Sequence, residues 1–327
     1  MSNLQFSVNA IFPLILTVLV GYVCKRIGLI SPDLAKGMNR LVFRLFLPVM
    51  LFMNVYRIER LATVDLTFVW YTLLFTLAWT ALSIPLTRLV TRERNQRGVL
   101  LQAAFRSNFA LVGIPLASAL FGEAGVAVAA LLSAFIIPCY NILAVICLSV
   151  YADRAEKRIS LKKIGLDIVK NPLIGAIACG ATVLLIREIF LRTGVTFRMT
   201  DLPFLEKTLS SLSAVATPLS LVVLGAQFEF SAVKELRRQI LFGVLMRGVI
   251  LPATGLSIAY LLGCFNGAHF AAFAATFATP IAVSSVPMAQ EMGADTRLAG
   301  QLVVWTTLTS AATLFAVATI LKSVGVF

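Results

Sequence analysis

Hydrophobic residues of this chain fall into ten long runs, separated by short stretches that carry charges or Pro and Gly. A membrane-spanning helix needs about 20 mostly apolar residues, and the runs are close to that length. The pattern therefore predicts an all-α integral membrane protein with ten transmembrane helices. The predicted spans are 6–24, 38–56, 66–87, 99–121, 125–151, 168–190, 207–228, 238–263, 269–290 and 299–321.

The ten predicted spans divide into two sets of five. The first set occupies residues 1–151, a linker predicted to be cytoplasmic covers 152–167, and the second set occupies 168–327. Because each set has an odd number of spans, the second must enter the membrane in the opposite sense to the first. Inverted repeats of this kind are a transporter architecture.

Internal similarity supports the inverted repeat. Three groups of residues recur in the same order, at offsets of 159, 170 and 172 residues. Span one matches span six, span two matches span seven, and span four matches span nine. The matches are Pro13-Leu14-Ile15 and Gly21 with Pro172-Leu173-Ile174 and Gly180; Pro48 and Glu59 with Pro218 and Glu229; and Ala103, Phe105, Ala110, Pro115 and Ala117 with Ala275, Phe277, Ala282, Pro287 and Ala289.

Composition supports the membrane interpretation. The chain is 59% hydrophobic and 13% charged, whereas soluble domains carry about 25% charged residues. A net charge of +13 can indicate nucleic-acid binding, but the basic residues lie between apolar runs and not on one helical face, so no nucleic-acid partner is predicted. Odd-numbered connections hold 19 of the 28 Lys and Arg residues. The positive-inside rule then predicts a plasma (inner) membrane protein with both termini extracytoplasmic.

The fourth and ninth spans are the ones in which helix breaks are predicted. Proline removes a backbone N–H and clashes with the carbonyl four residues earlier, so each span should kink or unwind near its middle. Backbone groups freed at that depth are tolerated only in protein or beside a wet cavity, and the positive N-terminal ends of helices attract anions. The alternative is a proline that only kinks a packed helix. The residues predicted to mark the breaks are Gly113, Pro115, Pro280 and Pro287.

Polar residues beside these predicted breaks form a candidate substrate site. Amide and hydroxyl groups inside a membrane should face the protein interior or a cavity, although hydrogen bonding between helices is an alternative explanation. Two basic residues, Arg106 and Arg247, lie well inside spans. We interpret Arg247 as reaching back to the lipid headgroups, and Arg106 as either doing the same or attracting anions. The predicted substrate-binding residues are Arg106, Ser107, Asn108, Asn141, Ser284 and Ser285.

Enzyme motifs are missing from the sequence. His269 is the only histidine, so an HExxH metal site is excluded, and no GxSxG or Walker motif is present. We therefore predict no enzyme activity, no cofactor and no metal. Acidic residues also avoid the predicted middle of every span, which gives no direct sign of proton coupling.

Short motifs along nearly the whole chain resemble the auxin efflux carrier family, which includes bacterial carriers associated with malonate or malate and the plant PIN-formed auxin exporters. The resemblance implies a fold similar to bile-acid and sodium-proton carriers, with crossover helices four and nine. It also implies an elevator mechanism, with a scaffold of spans 1, 2, 6 and 7 that often dimerises. The matching motifs are Phe46-Leu47-Pro48, Asn108 with Gly113-Ile114-Pro115-Leu116, Asn171-Pro172-Leu173-Ile174, Thr217-Pro218-Leu219 with Leu224-Gly225, Ala278-Thr279-Pro280 with Val286-Pro287 and Glu291, and Thr306-Thr307 with Ser310.

The connection after span five is short, unlike the long regulatory loops of the plant exporters, so a bacterial carboxylate carrier is the nearer analogue. The expected function is secondary transport of a small organic anion across the lipid bilayer by a homodimer formed through the scaffold helices. The coupling ion, H⁺ or Na⁺, stays open. The alternatives are a channel-like uniporter and a membrane sensor of the same ligand.

Overall fold

The computed structural model describes residues 3–58, 65–152, 165–166, 168–194, 196, 198–263, 265 and 267–326. Regular structure within these residues is helical, apart from one isolated β-bridge. Three of the helical segments are short π-helical turns, at Val42–Phe46, Phe109–Gly113 and Met246–Ile250. The α-helices are α1 (Asn3–Arg26), α2 (Pro32–Leu41), α3 (Leu47–Tyr56), α4 (Leu66–Val90), α5 (Arg94–Phe105), α6 (Ile114–Tyr151), α7 (Pro172–Arg192), α8 (Pro203–Gln227), α9 (Ser231–Glu235), α10 (Arg237–Leu245), α11 (Leu251–Leu262), α12 (Gly267–Phe277), α13 (Ser285–Glu291) and α14 (Thr296–Ser323).

Eight helical stretches of the described residues are long and apolar enough to cross a membrane, which confirms the coarse prediction of an all-helical, multi-pass membrane protein. The predicted fourth and ninth spans are absent from these eight as single helices, because both are interrupted. The linker predicted at 152–167 lies almost entirely outside the described residues. The eight stretches are Gln5–Arg26, Pro32–Tyr56, Leu66–Val90, Phe109–Tyr151, Pro172–Leu191, Pro203–Gln227, Arg237–Leu262 and Thr296–Ser323.

Each π-helical turn comes directly before a residue followed by proline. Leu47, Ile114 and Leu251 precede the prolines, and each donates its N–H to the carbonyl five residues back. A proline leaves the carbonyl four residues back without its donor and crowds it, so the wider turn relieves a local conflict. At Pro252 the freed carbonyl, that of Gly248, accepts a hydrogen bond from Thr313 Oγ1 at 3.0 Å.

The helices pack in two groups. The first group contains α1, α2, α3, α7 and α8, and the second contains α4, α5, α6 and α10 to α14, with α14 also packing on α1. Within the first group, glycine allows the backbones to touch. A Cβ at Gly21 would lie 2.0 Å from the Val222 oxygen, and one at Gly180 would lie 3.1 Å from the Phe52 oxygen.

Polar contacts join the helix connections at two ends of the bundle. At one end lie the connections that carry most of the basic residues: Gln96 donates to Asp295 at 3.0 Å, and Arg297 pairs with Glu229 at 3.0 Å. At the other end the sparsely basic connections meet. The contacts there are Arg57 with Ser210, Arg187 with the Tyr56 carbonyl, and His269 with Asp65.

Candidate functional site: two unwound segments around a cavity

Two unwound segments meet inside the helical bundle. Helix α5 ends at Phe105 and helical structure resumes at Phe109, while α12 ends at Phe277 and α13 begins at Ser285. The Asn108 N–H donates to the Pro280 carbonyl at 2.8 Å, and a β-bridge pairs Ser107 with Ile281. Buried backbone groups must find partners, and here each unwound segment supplies partners for the other.

Of the four residues predicted to mark the breaks, only Pro280 lies inside an unwound segment. Gly113 ends a π-helical turn, Pro115 stands in the first turn of α6, and Pro287 lies within α13. Proline is compatible with the first turn of a helix because the N–H that it lacks would have no partner there. The unwound residues therefore come before Pro115 and Pro287, and both prolines belong to the helices that resume.

Arg106 is buried at the first break, with 2% of its surface exposed. Its guanidinium donates to Asn141 Oδ1 at 2.7 Å, to Ser284 Oγ at 2.9 Å and to Gln102 Oε1 at 2.9 Å. It also lies 2.6 Å from the sulfur of Met288. Within the described residues no carboxylate pairs with it. Its positive charge is thus held by neutral side chains, and the alternative in which Arg106 reaches the headgroups is wrong.

Asn108 supplies a free donor beside this cation. Its backbone carbonyl accepts from the Val112 N–H at 3.0 Å, but its side-chain Nδ2 is buried and has no hydrogen-bond partner among the described residues. The hydroxyls of Ser107 and Tyr140 interact with each other, and neither has another partner in that part of the chain. Buried polar groups without partners are costly, so a ligand that accepted these hydrogen bonds would be favoured.

A cavity of about 120 Å³ opens beside these groups. Arg106, Ser107, Asn108, Asn141 and Ser284 all line it, so the structure brings together five of the six predicted site residues. The sixth, Ser285, is 3% exposed and is not part of the lining. Two α-helices of the first packing group, α3 and α8, form the opposite wall, through Leu47, Met50, Leu51, Asn54, Thr217 and Ser220.

Several polar residues near the cavity were missed in the sequence. Gln102 holds Arg106, Tyr140 precedes the predicted Asn141, and Asn54 and Thr217 line the opposite wall. Asn54 is a carboxamide in an apolar run, which is the same signal that identified Asn108 and Asn141. Thr217 lies beside Pro218, a residue of the internal repeat. Nothing in their local sequence indicates that they face the same space as Arg106.

Arg247 contradicts its sequence interpretation. It is 1% exposed, so it does not reach the headgroups. Its guanidinium donates to three backbone carbonyls, those of Thr279 at 2.6 Å, Thr276 at 3.0 Å and Phe105 at 3.2 Å. These oxygens lie at or just beyond the C-terminal ends of α5 and α12. The interpretation failed because these ends carry partial negative charge and hold the cation inside the protein.

The broken helices around a buried cavity are a transporter architecture, and the sequence comparison agrees with it. A model of the family described as membrane transport protein, which covers the auxin efflux carriers, matches residues 6–317. The chain belongs to this membrane transport protein family. The predicted family resemblance is thereby confirmed, and family membership indicates a membrane transporter with no sign of enzyme activity. No curated protein sequence matches this member of the family.

Proposed function

We propose that this protein is a secondary carrier of a small organic anion, which binds in the cavity between the two unwound segments. The observation that carries the proposal is Arg106, a buried cation at the cavity without a carboxylate partner among the described residues. Leaving a buried charge uncompensated costs several kcal/mol. An anionic ligand supplies the missing charge.

The polar groups of the cavity suit a carboxylate. Arg106 provides a charged donor and Asn108 Nδ2 a neutral one, while Tyr140 and Ser107 add hydroxyls. Hydrogen bonds between ionised groups are about twice as strong as neutral ones. A small monocarboxylate or dicarboxylate that has lost its water therefore recovers donors from three helical segments. The cavity of about 120 Å³ favours a compact substrate of this class over an auxin-sized one.

Ten membrane crossings in two inverted repeats are part of the proposal. Helices α5 and α12 end at Phe105 and Phe277, and Asn108 donates to Pro280; both pairs are related by the offset of 172 residues. Gly180 stands 159 residues after Gly21, and Val222 stands 170 residues after Phe52. The contact of Gly21 with Val222 and the contact of Gly180 with Phe52 are thus equivalent under the repeat offsets. In this arrangement each interrupted helix pair completes one crossing.

Elevator transport gives the two packing groups different tasks. The group of α1, α2, α3, α7 and α8 contains the spans expected to form the scaffold, and it contributes one wall of the cavity. The group that carries both unwound segments contributes the binding groups. Sliding of the second group against the first would move the bound anion without dismantling its hydrogen bonds. We also propose the homodimer through scaffold helices and the plasma-membrane location with both termini outside.

Exchange in proteoliposomes tests the function. A carrier preloaded with substrate accelerates uptake of labelled substrate from the other side, a channel shows no such trans-stimulation, and a sensor moves nothing. A thermal-shift screen of purified protein against small carboxylates identifies the substrate first, because a ligand that binds only the folded state raises apparent stability. If no carboxylate shifted the melting temperature and none was exchanged, the proposal would be wrong.

A reporter fused at the C-terminus tests the topology. Ten crossings and the basic connections place both termini outside the cytoplasm, so a reporter active only in the cytoplasm should be silent there. The same reporter in the 152–167 connection should be active and serves as the control. A cytoplasmic C-terminus would overturn the orientation that we propose.

A further inference from the structure

The surroundings of Arg247 are those of a cation site. Three carbonyl oxygens converge on its guanidinium, from Phe105 at the end of α5 and from Thr276 and Thr279 around the end of α12. In transporters with broken helices, carbonyls of unwound segments and the C-terminal ends of half-helices are the groups that bind coupling cations such as Na⁺. Here these oxygens are already occupied by a side chain of the protein.

Arg247 also lacks an alternative partner. No described carboxylate lies within ion-pair distance of it, and its side chain is 1% exposed. It lies near enough to Tyr140 for the two side chains to interact electrostatically, and Tyr140 lines the anion cavity. The cation therefore stands behind the cavity, and Arg106 stands at its surface.

The local helix geometry supplies the reach of Arg247. It is the second residue of the π-helical turn Met246–Ile250, where one extra residue is accommodated before Pro252. The next residue, Gly248, has its carbonyl capped by Thr313 from α14. The turn is thus fixed on both sides, and the guanidinium projects from a rigid position towards the carbonyls.

We propose that Arg247 is a tethered cation, which permanently fills the cation position at the crossing of the two unwound segments. The negative ends of α5 and α12 are neutralised by the protein itself, so the crossing needs no sodium ion from solution either to fold or to bind its anion. The part of this inference that concerns anion binding rests on the proposed function. The part that concerns the fold does not.

The first test is chemical rescue of stability. Arg247→Ala removes the cation and leaves its space open, so we expect a melting temperature lower by roughly 5 °C or more. Low-millimolar guanidinium chloride should restore a large part of that loss, whereas choline chloride at equal ionic strength should not. Arg238→Ala is the matched control, because Arg238 lies on α10 in the same stretch, is exposed and donates to the single carbonyl of Leu89 at 2.7 Å. Neither this control nor the parent should gain stability from guanidinium.

A second pair of variants keeps the test decisive if Arg247→Ala does not fold. Arg247→Lys retains the charge, and Arg247→Met retains the length and loses the charge. We expect the melting temperatures to fall in the order parent, Lys variant, Met variant. A Met variant as stable as the Lys variant, or an Arg247→Ala protein that folds and ignores guanidinium, would show that Arg247 is only a packing residue.

The third test concerns sodium. Replacing Na⁺ by K⁺ or choline should leave both the melting temperature and the anion affinity of the parent unchanged. A clear rise of the melting temperature in Na⁺ would overturn the tethered cation, whether or not an anion binds. If the parent bound no carboxylate at all, the proposed function would fail, while the rescue and the charge-retaining variants would still decide the role of Arg247.

Discussion

Arg106 and Arg247 are both buried without a described carboxylate partner, yet their surroundings differ. Arg106 donates to the side chains of Gln102, Asn141 and Ser284 beside a cavity, whereas Arg247 donates to backbone carbonyls away from the cavity lining. Side-chain partners can move to admit a ligand, and carbonyls at helix ends cannot. The difference indicates that one arginine serves the substrate and the other serves the fold.

The largest expected effect on binding follows from removing Arg106. Arg106→Met should weaken anion binding by about 2–5 kcal/mol, roughly 30-fold to 5,000-fold, because the buried anion loses its charged donor. The melting temperature without ligand should change little, in contrast to Arg247→Met. Isothermal titration and thermal melting measure the two quantities. Equal affinity losses in both Met variants, with equal loss of stability, would remove the distinction between the two arginines.

Converting Asn141 into a carboxylate should have the next largest effect. Asn141 Oδ1 accepts from Arg106 at 2.7 Å, so Asn141→Asp places a permanent counter-ion where the substrate charge is needed. We expect at least about tenfold weaker anion binding, since like charges repel and Arg106 is already paired. Asn141→Leu is the control for lost hydrogen bonding alone. Stronger loss in the Leu variant than in the Asp variant would contradict this mechanism.

Asn108 should contribute less than the charged donor. Removing its unpartnered Nδ2 costs about 1–3 kcal/mol, or roughly 5-fold to 150-fold in affinity. Asn108→Ala should therefore abolish most uptake while leaving the amount of protein in the membrane unchanged. Uptake assays and titration measure this. A variant that bound and exchanged substrate like the parent would make Asn108 a packing residue.

Thr313 tests the side of the comparison that concerns the fold. Its hydroxyl caps the Gly248 carbonyl at 3.0 Å, so Thr313→Val should reduce stability by about 1 kcal/mol and leave anion affinity unchanged. Denaturation and titration separate these effects. An affinity loss of tenfold or more would mean that the Arg247 region takes part in substrate binding.

The smallest effect is expected in the connection after the fifth predicted span. Lys162 and Lys163 lie outside the described residues, and their charges are explained by the orientation of the chain in the membrane. Neutralising both should leave affinity unchanged in a titration. A tenfold loss would show that this connection contributes to the site.

Some of the site could be predicted from the sequence because membrane burial restricts polar residues. Asn108 and Asn141 stand out in apolar runs, and paired prolines indicate interrupted helices. Pro115 does not show where the chain unwinds, because that position depends on pairing between Asn108 and Pro280, which are far apart in the sequence. Arg247 was misinterpreted for the same physical reason. Its burial depends on carbonyls of distant residues, and apolar periodicity carries no information about them.

The contacts of Arg247 also bear on how the chain enters the bilayer during synthesis. Two of its three carbonyl partners, Thr276 and Thr279, are 29 and 32 residues further along the chain, so they leave the ribosome later. Until then the Arg237–Leu262 stretch carries a charge whose insertion costs about 2.5–3.5 kcal/mol at the centre of a membrane helix. That segment gains its full stability in the bilayer only when α12 arrives beside it, which couples the insertion of the two segments in time.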